Sequence, residues 1–410
     1  MPHSNRDSLA NLAEHYRRRG DHEKSRYYAE RLREEEAADG DSGSFQASMA
    51  AAECAARLYG EERFDEIPER CAHERSPAML APLCGALLRL GRFDEAVSFL
   101  SALPETPDVL LRRRSAQLLP AIAEAAAKAT GRVHVLLLAH NREEYVRRAL
   151  EQLAATGYGD YAVYMADNGS TDGTWEAMRA GVKCFPVDVP VSMERLPTNI
   201  GRPAGHNWLL SRFSHAEADY IAIADDDLVE IAPSWLSDMI GTMSLFPRAA
   251  AVGGLALNPG LPRVVHGGIR RVTAFGPDRL EITNECEEAD RGQFAVVDLV
   301  DHVIGCLHLY RREALEAVGP FDLRFSPCQL VDIEHHLRAR VHGYDIVFNG
   351  FIEFRHLRGM GRAAGTDRAG AGNSLGNVVK LLYKFDQGAV RSFLKAEEAR
   401  YADWLHGGER

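Results

Sequence analysis

Two hydrophobic rhythms divide this chain. Up to about Thr130, apolar residues recur at helical spacing and nothing reads as a strand. Leu9, Leu12, Ala13 and Tyr16 form one stripe, Gly20 supplies a stop, and Tyr28, Ala29 and Leu32 open a second stripe, which predicts a helical hairpin. The same grammar returns over 54–67 around Gly60 and over 83–97 around Gly91. Residues 108–128 read as a closing helix or two broken near Pro120, and Gly131 marks a boundary. Beyond it strands and helices alternate: a strand over 133–139, a helix over 143–155, a strand over 161–165, a helix over 174–179. Such alternation predicts parallel βαβ units, with ligands held beyond the carboxyl ends of the strands. The last stretch reads as a Gly-rich loop followed by an amphipathic helix. The expected divisions are 1–130, 131–365 and 366–410.

The segment Leu83 to Val97, with its Gly91-Arg92-Phe93-Asp94-Glu95-Ala96 turn, resembles tetratricopeptide repeats. The turn glycines Gly20, Gly60 and Gly91 fall at unequal gaps that straddle the ~34-residue period of that repeat, so the array is irregular. Such a solenoid offers a concave surface to a protein partner, or it props its neighbour domain.

Composition narrows the function. A chain of 410 residues with 46% hydrophobic residues has enough apolar material for two or three folded domains. Its formal net charge of −11 argues against a nucleic-acid or anionic-membrane partner, which wants a basic face. Seven scattered cysteines without a CxxC pair fit reduced thiols. No stretch approaches the ~20 apolar residues that span a bilayer, and the amino terminus has no apolar signal core, so the expectation is a cytoplasmic protein.

Chemistry concentrates at strand ends. The apolar run Tyr220 to Ala224 closes on Asp225-Asp226-Asp227, and three adjacent carboxylates repel one another unless a cation or strong donors sit among them. On an extended segment Asp225 and Asp227 share a side and can meet one hard divalent ion while Asp226 turns elsewhere. The alternative is a solvated acidic turn capping the helix that starts near Pro233. After the first strand comes Ala139-His140-Asn141-Arg142-Glu143, and after the second Asp167-Asn168-Gly169-Ser170-Thr171-Asp172-Gly173-Thr174. Asp167 can accept from a base N–H, and the small residues let backbone amides face an anion. Thr198-Asn199-Ile200-Gly201-Arg202 follows, ahead of the acidic triplet.

In this order and spacing, residues 133–356 resemble a family 2 glycosyltransferase of the GT-A fold. The fold class that the resemblance implies is α/β, a Rossmann-like and mostly parallel sheet, here preceded by an all-α helical-repeat domain. It implies that the loop Ala139 to Glu143, with Asn141, and Asp167 contact the base and ribose of a nucleotide sugar, with Asn199 and Gly201 lining the same pocket. Asp225 and Asp227 take the place of the family's metal-associated pair, with Asp226 beside them at the donor. Several relatives carry a histidine that joins the metal, here His356; two carboxylates and an imidazole suit Mn2+ better than Mg2+. Arg358, with Arg355 and Arg362 around Gly359-Met360-Gly361, reads as part of a loop that covers a diphosphate. Downstream, Val331-Asp332-Ile333-Glu334-His335-His336 resembles the family's acceptor half, although its usual Glu-Asp pair is here Val331-Asp332. Inverting transfer needs one carboxylate to take the acceptor proton: Asp332 is the candidate and Glu334 the fallback. Two residues apart on a helix, the two cannot face one hydroxyl. His335 and His336 read as a plain polar face.

The expectation is therefore a metal-dependent transferase that uses a UDP- or GDP-type sugar and a glycan, lipid-linked or protein acceptor. A nucleotidyltransferase would want a GxGTRL-like loop after the first strand, and His140-Asn141-Arg142-Glu143 is not that. The other alternative is a helical-repeat adaptor with a decayed nucleotide-sugar domain; retention of Asp225, Asp227 and Asp332 argues against decay.

Overall fold

In a computed structural model the described residues are 13, 29, 42–71, 74–276, 279–283, 288–357 and 368–408. The hairpin expected around Gly20 and the arginine-glycine loop with Arg358 lie outside them. The helical part comprises Ser42–Gly60, Glu66–Cys71, Leu80–Arg89, Phe93–Ser101 and Pro107–Ala127. Its stripes meet in a core of their own, in which Leu58, Tyr59, Leu87, Phe99 and Leu100 are buried. Gly91, at φ 69°, makes the turn between two of these helices in the left-handed region that favours glycine.

The closing helix does not break at Pro120. Pro107 and the Thr106 side chain, which accepts from Val109 N–H, start it, and it runs unbroken to Ala127. Mid-helix proline costs about 3 kcal/mol or more in isolation. Here the helix packs on Trp235–Ser244 so closely that a Cβ on Gly241 would sit 2.6 Å from Ala126 N. That contact offsets the lost hydrogen bond, which is why a local rule failed.

Among the described residues the second unit has twelve strands: β1 (Val133–Ala139), β2 (Tyr161–Asp167), β3 (Val191–Arg195), β4 (Tyr220–Asp225), β5 (Leu228–Ile231), β6 (Ala249–Leu257), β7 (Val265–Gly267), β8 (Val272–Gly276), β9 (Arg279–Ile282), β10 (Val297–Val300), β11 (Leu307–Arg311) and β12 (Asp345–His356). The main sheet runs β10-β12-β6-β11-β4-β1-β2-β3, and β8 and β9 form a separate hairpin. Strands β1, β2, β3, β4, β6 and β12 run one way, with β10 and β11 opposed, so the sheet is mostly parallel and the fold is α/β behind a helical segment. Continuous apolar runs such as Val133–Ala139 and Ala249–Leu257 are buried on both faces, as central strands require. Register aligns the chemistry: Ala139 lies opposite Asp167, Asp167 opposite Arg195, and Leu138 opposite Asp225.

The carboxyl-terminal stretch also departs from expectation. From Arg368 the described chain is helical, Arg368–Lys384 and then Gln387–Leu405, rather than a Gly-rich loop. Each helical glycine costs about 1 kcal/mol. Burial of Asn377, Leu381 and Leu382 against residues 325–329 overrides that propensity.

The two units share a tight border. Arg112 donates to the carbonyls of Gly292 and Gln293, and Arg89 to that of Gly350. The helix packing yields a stability test. Gly241→Val should force two backbones apart, costing about 1–3 kcal/mol and lowering the melting temperature of the full chain. An unchanged melt would mean that this contact does not hold the closing helix.

Candidate active site

Each polar motif sits at the carboxyl edge of the parallel strands, and backbone amides stitch the loops together. Asn141, at φ 53°, donates its N–H to Ser170 Oγ (2.9 Å) and accepts from Thr171 N–H through Oδ1 (2.9 Å). Glu143 Oε2 accepts from Gly173 N–H (3.2 Å). Ala139 is fully buried, and its carbonyl accepts from Asn168 N–H (2.7 Å). These contacts fold the loop after β1 onto the loop after β2. Asp167, fully buried, accepts Ser170 N–H at 2.9 Å through Oδ1. Its Oδ2 lies 3.1 Å from Arg195 Nε, an ion pair without a well-aligned hydrogen. Asn199 Oδ1 accepts from Asn168 Nδ2 (3.1 Å) and Gly201 N–H (2.8 Å). Gly201, at φ 85°, abuts Ser326 and Pro327, and Arg202 N–H donates to Pro327 O (2.7 Å).

The acidic triplet divides between two sides, although only Asp225 belongs to β4 and Asp226 and Asp227 lie in the turn before β5 rather than on an extended segment. Asp226 turns toward His140 N–H (3.2 Å) and Arg142 Nε (3.3 Å); burial first, and then Asp227, push its carboxyl up to about 7. Asp225 and Asp227 face His356, whose Nε2 lies 2.7 Å from Asp227 Oδ1 and 3.8 Å from Asp225 Oδ2. The antiparallel pairing of β12 with β5, which sets His356 against Leu228, makes this meeting. Burial favours the neutral Asp225, but Arg202 and His356 outweigh it and hold the carboxyl below its usual range. The same opposition runs at His356: desolvation lowers its pKa, yet the two aspartates raise it to about 9.

One ligand atom from each of Asp225, Asp227 and His356 falls within 4.8 Å of the others, a cluster that one divalent ion would draw slightly inward, since two bonds near ~2.1 Å span about 4.2 Å. Despite the short separation, neither nitrogen of His356 makes an aligned hydrogen bond. Two carboxylates and an imidazole gathered this closely form a donor set that fits a cation.

Asp332 comes from the other half. It opens the helix Val331–Val341 directly after two non-glycine residues in the left-handed region, Gln329 (φ 79°) and Leu330 (φ 60°). Such strain is kept at sites that need a fixed geometry. Buried Asn377 holds the turn by donating to the carbonyls of Cys328 and Gln329. Glycine is required at 305, where a Cβ would lie 2.5 Å from Asp332 Oδ2. Arg202 joins the halves: it pairs with Asp225 through two nitrogens (2.7 and 3.0 Å) and donates to Gly305 O (2.8 Å). Burial disfavours the charge on Asp332, but His302 and then Arg202 hold it well below the ordinary carboxylate range, so it is ionised.

The sequence model of glycosyl transferase family 2 matches residues 134–319. The chain carries a family 2 glycosyltransferase domain. It is 25% identical over 221 residues to an N-acetylglucosaminyl-diphospho-decaprenol L-rhamnosyltransferase of Mycobacterium tuberculosis, a match covering 47% of this chain and 65% of that protein. An uncharacterised protein of Sinorhizobium fredii is 24% identical over 238 residues, covering 56% of this chain and 25% of that protein. Among solved structures, a Pyrobaculum calidifontis mannosyltransferase in complex with GDP-Man and Mn2+ aligns at TM-score 0.43 and 15% identity, over 72% of this chain and 87% of that one. Staphylococcus aureus TarS aligns at TM-score 0.39 and 15% identity, over 59% and 68%. Structural similarity that remote transfers no ligand.

Within the glycosyltransferase domain, sequence reasoning missed Arg202 and Arg142. The signal was available: a buried triple carboxylate needs cations, and each arginine follows a motif at a strand end. Glu334 is placed elsewhere than the fallback role requires. It is fully buried and bound to Arg338 (2.8 and 3.1 Å) and Lys384 (2.6 Å), so both its oxygens are occupied. His335 and His336 are not a polar face either: both are buried around Tyr310 Oη, at 3.2 and 3.0 Å, because their helix is covered by β11 and the segment 319–321. Concavity alone would also have misled, since a cavity of about 540 Å³ lies at Gly131, Tyr158 and Asp160, away from these carboxylates.

Calorimetric titration of Mn2+ should find one site, lost in Asp227→Asn. Coordination through Nε2 displaces the His356 proton, so apparent affinity should rise with pH and level off above about 9. In metal-free protein the sign reverses: the raised pKa of His356 contributes stability that is complete below its ordinary value near 6.5 and is lost as pH rises through about 9. Affinity independent of pH would remove His356 from the ligand set.

Proposed function

We propose that this chain moves a sugar from a nucleotide-diphosphate donor to an acceptor hydroxyl with inversion, Asp332 acting as the general base. The observation that carries the reading is Arg202, whose guanidinium pairs with Asp225, donates to the Gly305 carbonyl and acts electrostatically on Asp332. Donor-side carboxylates and acceptor-side base thereby share one wall. Asp225, Asp227 and His356 would hold a divalent cation, and their mixed oxygen and nitrogen donors favour Mn2+ over Mg2+. When bound, that ion supplies positive charge to a departing diphosphate.

The protein's own groups do the rest. Asp167 presents Oδ2 to a base N–H, in the pocket that Asn199 and Gly201 complete. Arg202 and Arg142 add fixed positive charge around the buried aspartates, where a leaving group's negative charge would grow. Asp332 accepts the acceptor's proton as the hydroxyl oxygen bonds to the sugar carbon, on the face opposite the diphosphate. The described residues contain no helix long and apolar enough to cross a membrane. Similarity to an enzyme named for a decaprenol-linked diphospho-sugar supports a lipid-linked acceptor.

The test combines ligand-induced stabilisation with turnover. UDP, GDP, CMP and dTDP are each screened by thermal shift with Mn2+, Mg2+ or EDTA on wild type, Asp227→Ala and Asp332→Asn. One nucleotide should stabilise only with metal, lose its effect in Asp227→Ala and keep it in Asp332→Asn, whose turnover should fall by at least ~10²-fold. Normal turnover in Asp332→Asn would remove the base assignment. No response to any nucleotide would sink the transferase reading and favour a binding role for the helical array.

A further inference from the structure

We infer that His302 is a positioning residue for the reaction, holding Asp332 Oδ2 in place through its Nε2–H. The inference rests on the assignment of Asp332 as base and extends it to a residue that no local motif announces. His302 is 2% exposed, its Nε2 lies 3.0 Å from Asp332 Oδ2, and it sits where residues 301 and 302 hydrogen-bond to the Arg270 carbonyl. The ring is not aimed squarely at the oxygen, so the contact is a close polar approach that a small rotation turns into a hydrogen bond. Catalytic contacts commonly tighten in this way once substrate is bound.

The tautomer follows from what surrounds the ring. Nδ1 of His302 is buried with no hydrogen-bond partner, and it faces a wall of imidazoles: His336 packs at 5.1 Å between ring centres, and His308 packs on His336 at 5.4 Å. A buried N–H without an acceptor costs roughly 1–3 kcal/mol. The proton therefore belongs on Nε2, beside the carboxylate. Burial also lowers the pKa of His302 against the opposing pull of Asp332, which favours the neutral ring. Both nitrogens of His308 are likewise buried and unpartnered. Three imidazoles in such surroundings are a costly way to fill space. Their effect is a close-packed backing that keeps the base from swinging away from Arg202 and Gly305.

The other oxygen is set as well. Asp332 Oδ1 accepts from Ile333 N–H at 3.0 Å, so a carboxylate with 29% of its side chain still accessible has one orientation left. Removing His302 frees it to rotate without removing its charge. Loss should therefore appear in kcat and not in donor binding.

The experiment uses the full chain with Mn2+ and the nucleotide sugar matching the nucleotide that stabilises it. His302→Gln, which keeps an N–H donor, and His302→Leu, which has none, are compared with wild type and Asp332→Asn. His302→Leu should lose roughly 10- to 100-fold in kcat, the range for partners that orient working groups, with KM for the donor unchanged and partial recovery in His302→Gln. In 15N-histidine spectra, the signal absent from His302→Gln should report a neutral Nε2–H ring in wild type and move in Asp332→Asn. If Asp332→Asn is inactive while His302→Leu turns over like wild type, the positioning role is wrong and the base stands. If Asp332→Asn is active, the base assignment itself fails. A charged His302, or one indifferent to Asp332→Asn, overturns the inference without reference to turnover.

Discussion

Three carboxylates at the end of a buried strand are the constraint around which the catalytic unit is arranged. Two like charges ~4 Å apart repel by about 4 kcal/mol at the effective dielectric of a protein edge. Asp226 and Asp227 are both nearly buried, and Asp225 is half-buried beside them. The chain answers with cations from three separate elements: Arg142 from the end of β1, Arg202 from the first turn of Arg202–Arg212, and His356 from the end of β12. None of these elements can shift without exposing an unbalanced carboxylate. The loop positions that shape a donor pocket and the charge balance that lets β4 end in aspartates are thus one solution.

That solution extends into the helical part through β12. Glu353, three residues before His356, pairs with Arg263 and Arg89, and Arg263 pairs in turn with Asp290. Arg355, adjacent to His356, binds Glu62 and Glu230. Glu62 and Arg89 belong to the helical unit, so its hairpins grip the strand that delivers His356, and they do so where the β12–β5 register shifts between Arg355 and His356. Buried ionic networks add little net stability, but their geometric demands fix register. The helical array therefore has a structural task, whatever its outer surface contacts.

Legibility in the sequence followed locality. The strand ends, the division of Asp225 and Asp227 from Asp226, and the helix opened by Asp332 are all set by neighbours a few residues away, and period and spacing reveal them. His356 was found through resemblance, because its partner Asp227 meets it only when β12 pairs with β5. Helix propensity misjudged Pro120 and the glycines after Arg368, where long-range packing decides. The polar reading of His335 and His336 failed for a related reason: histidine pattern carries no information about the Tyr310 hydroxyl that satisfies both rings. Arg202 was in view as part of a motif, but its pairing with Asp225 and its approach to Gly305 are properties of two loops meeting.

The electrostatics of Asp332 bear on where catalysis must come from. As the proposed base, a carboxylate held below its ordinary range stays ionised but is a weaker proton acceptor than a free one, so an alcohol gains less by surrendering its proton to it early. Proton transfer then becomes favourable only after the acceptor oxygen has begun to bond and its proton has turned acidic. In the proposed reaction the barrier is then lowered mainly on the departing side, by charge stabilisation at the diphosphate. The distribution of groups agrees with those proposed roles: Asp332 stands on one side, while Arg142, His356 and the paired aspartates crowd the other and Arg202 bridges the two. Under the proposed assignment such a site discriminates through how it places the two reactants, with the base fixed rather than strengthened, which is what the packed imidazoles behind Asp332 supply.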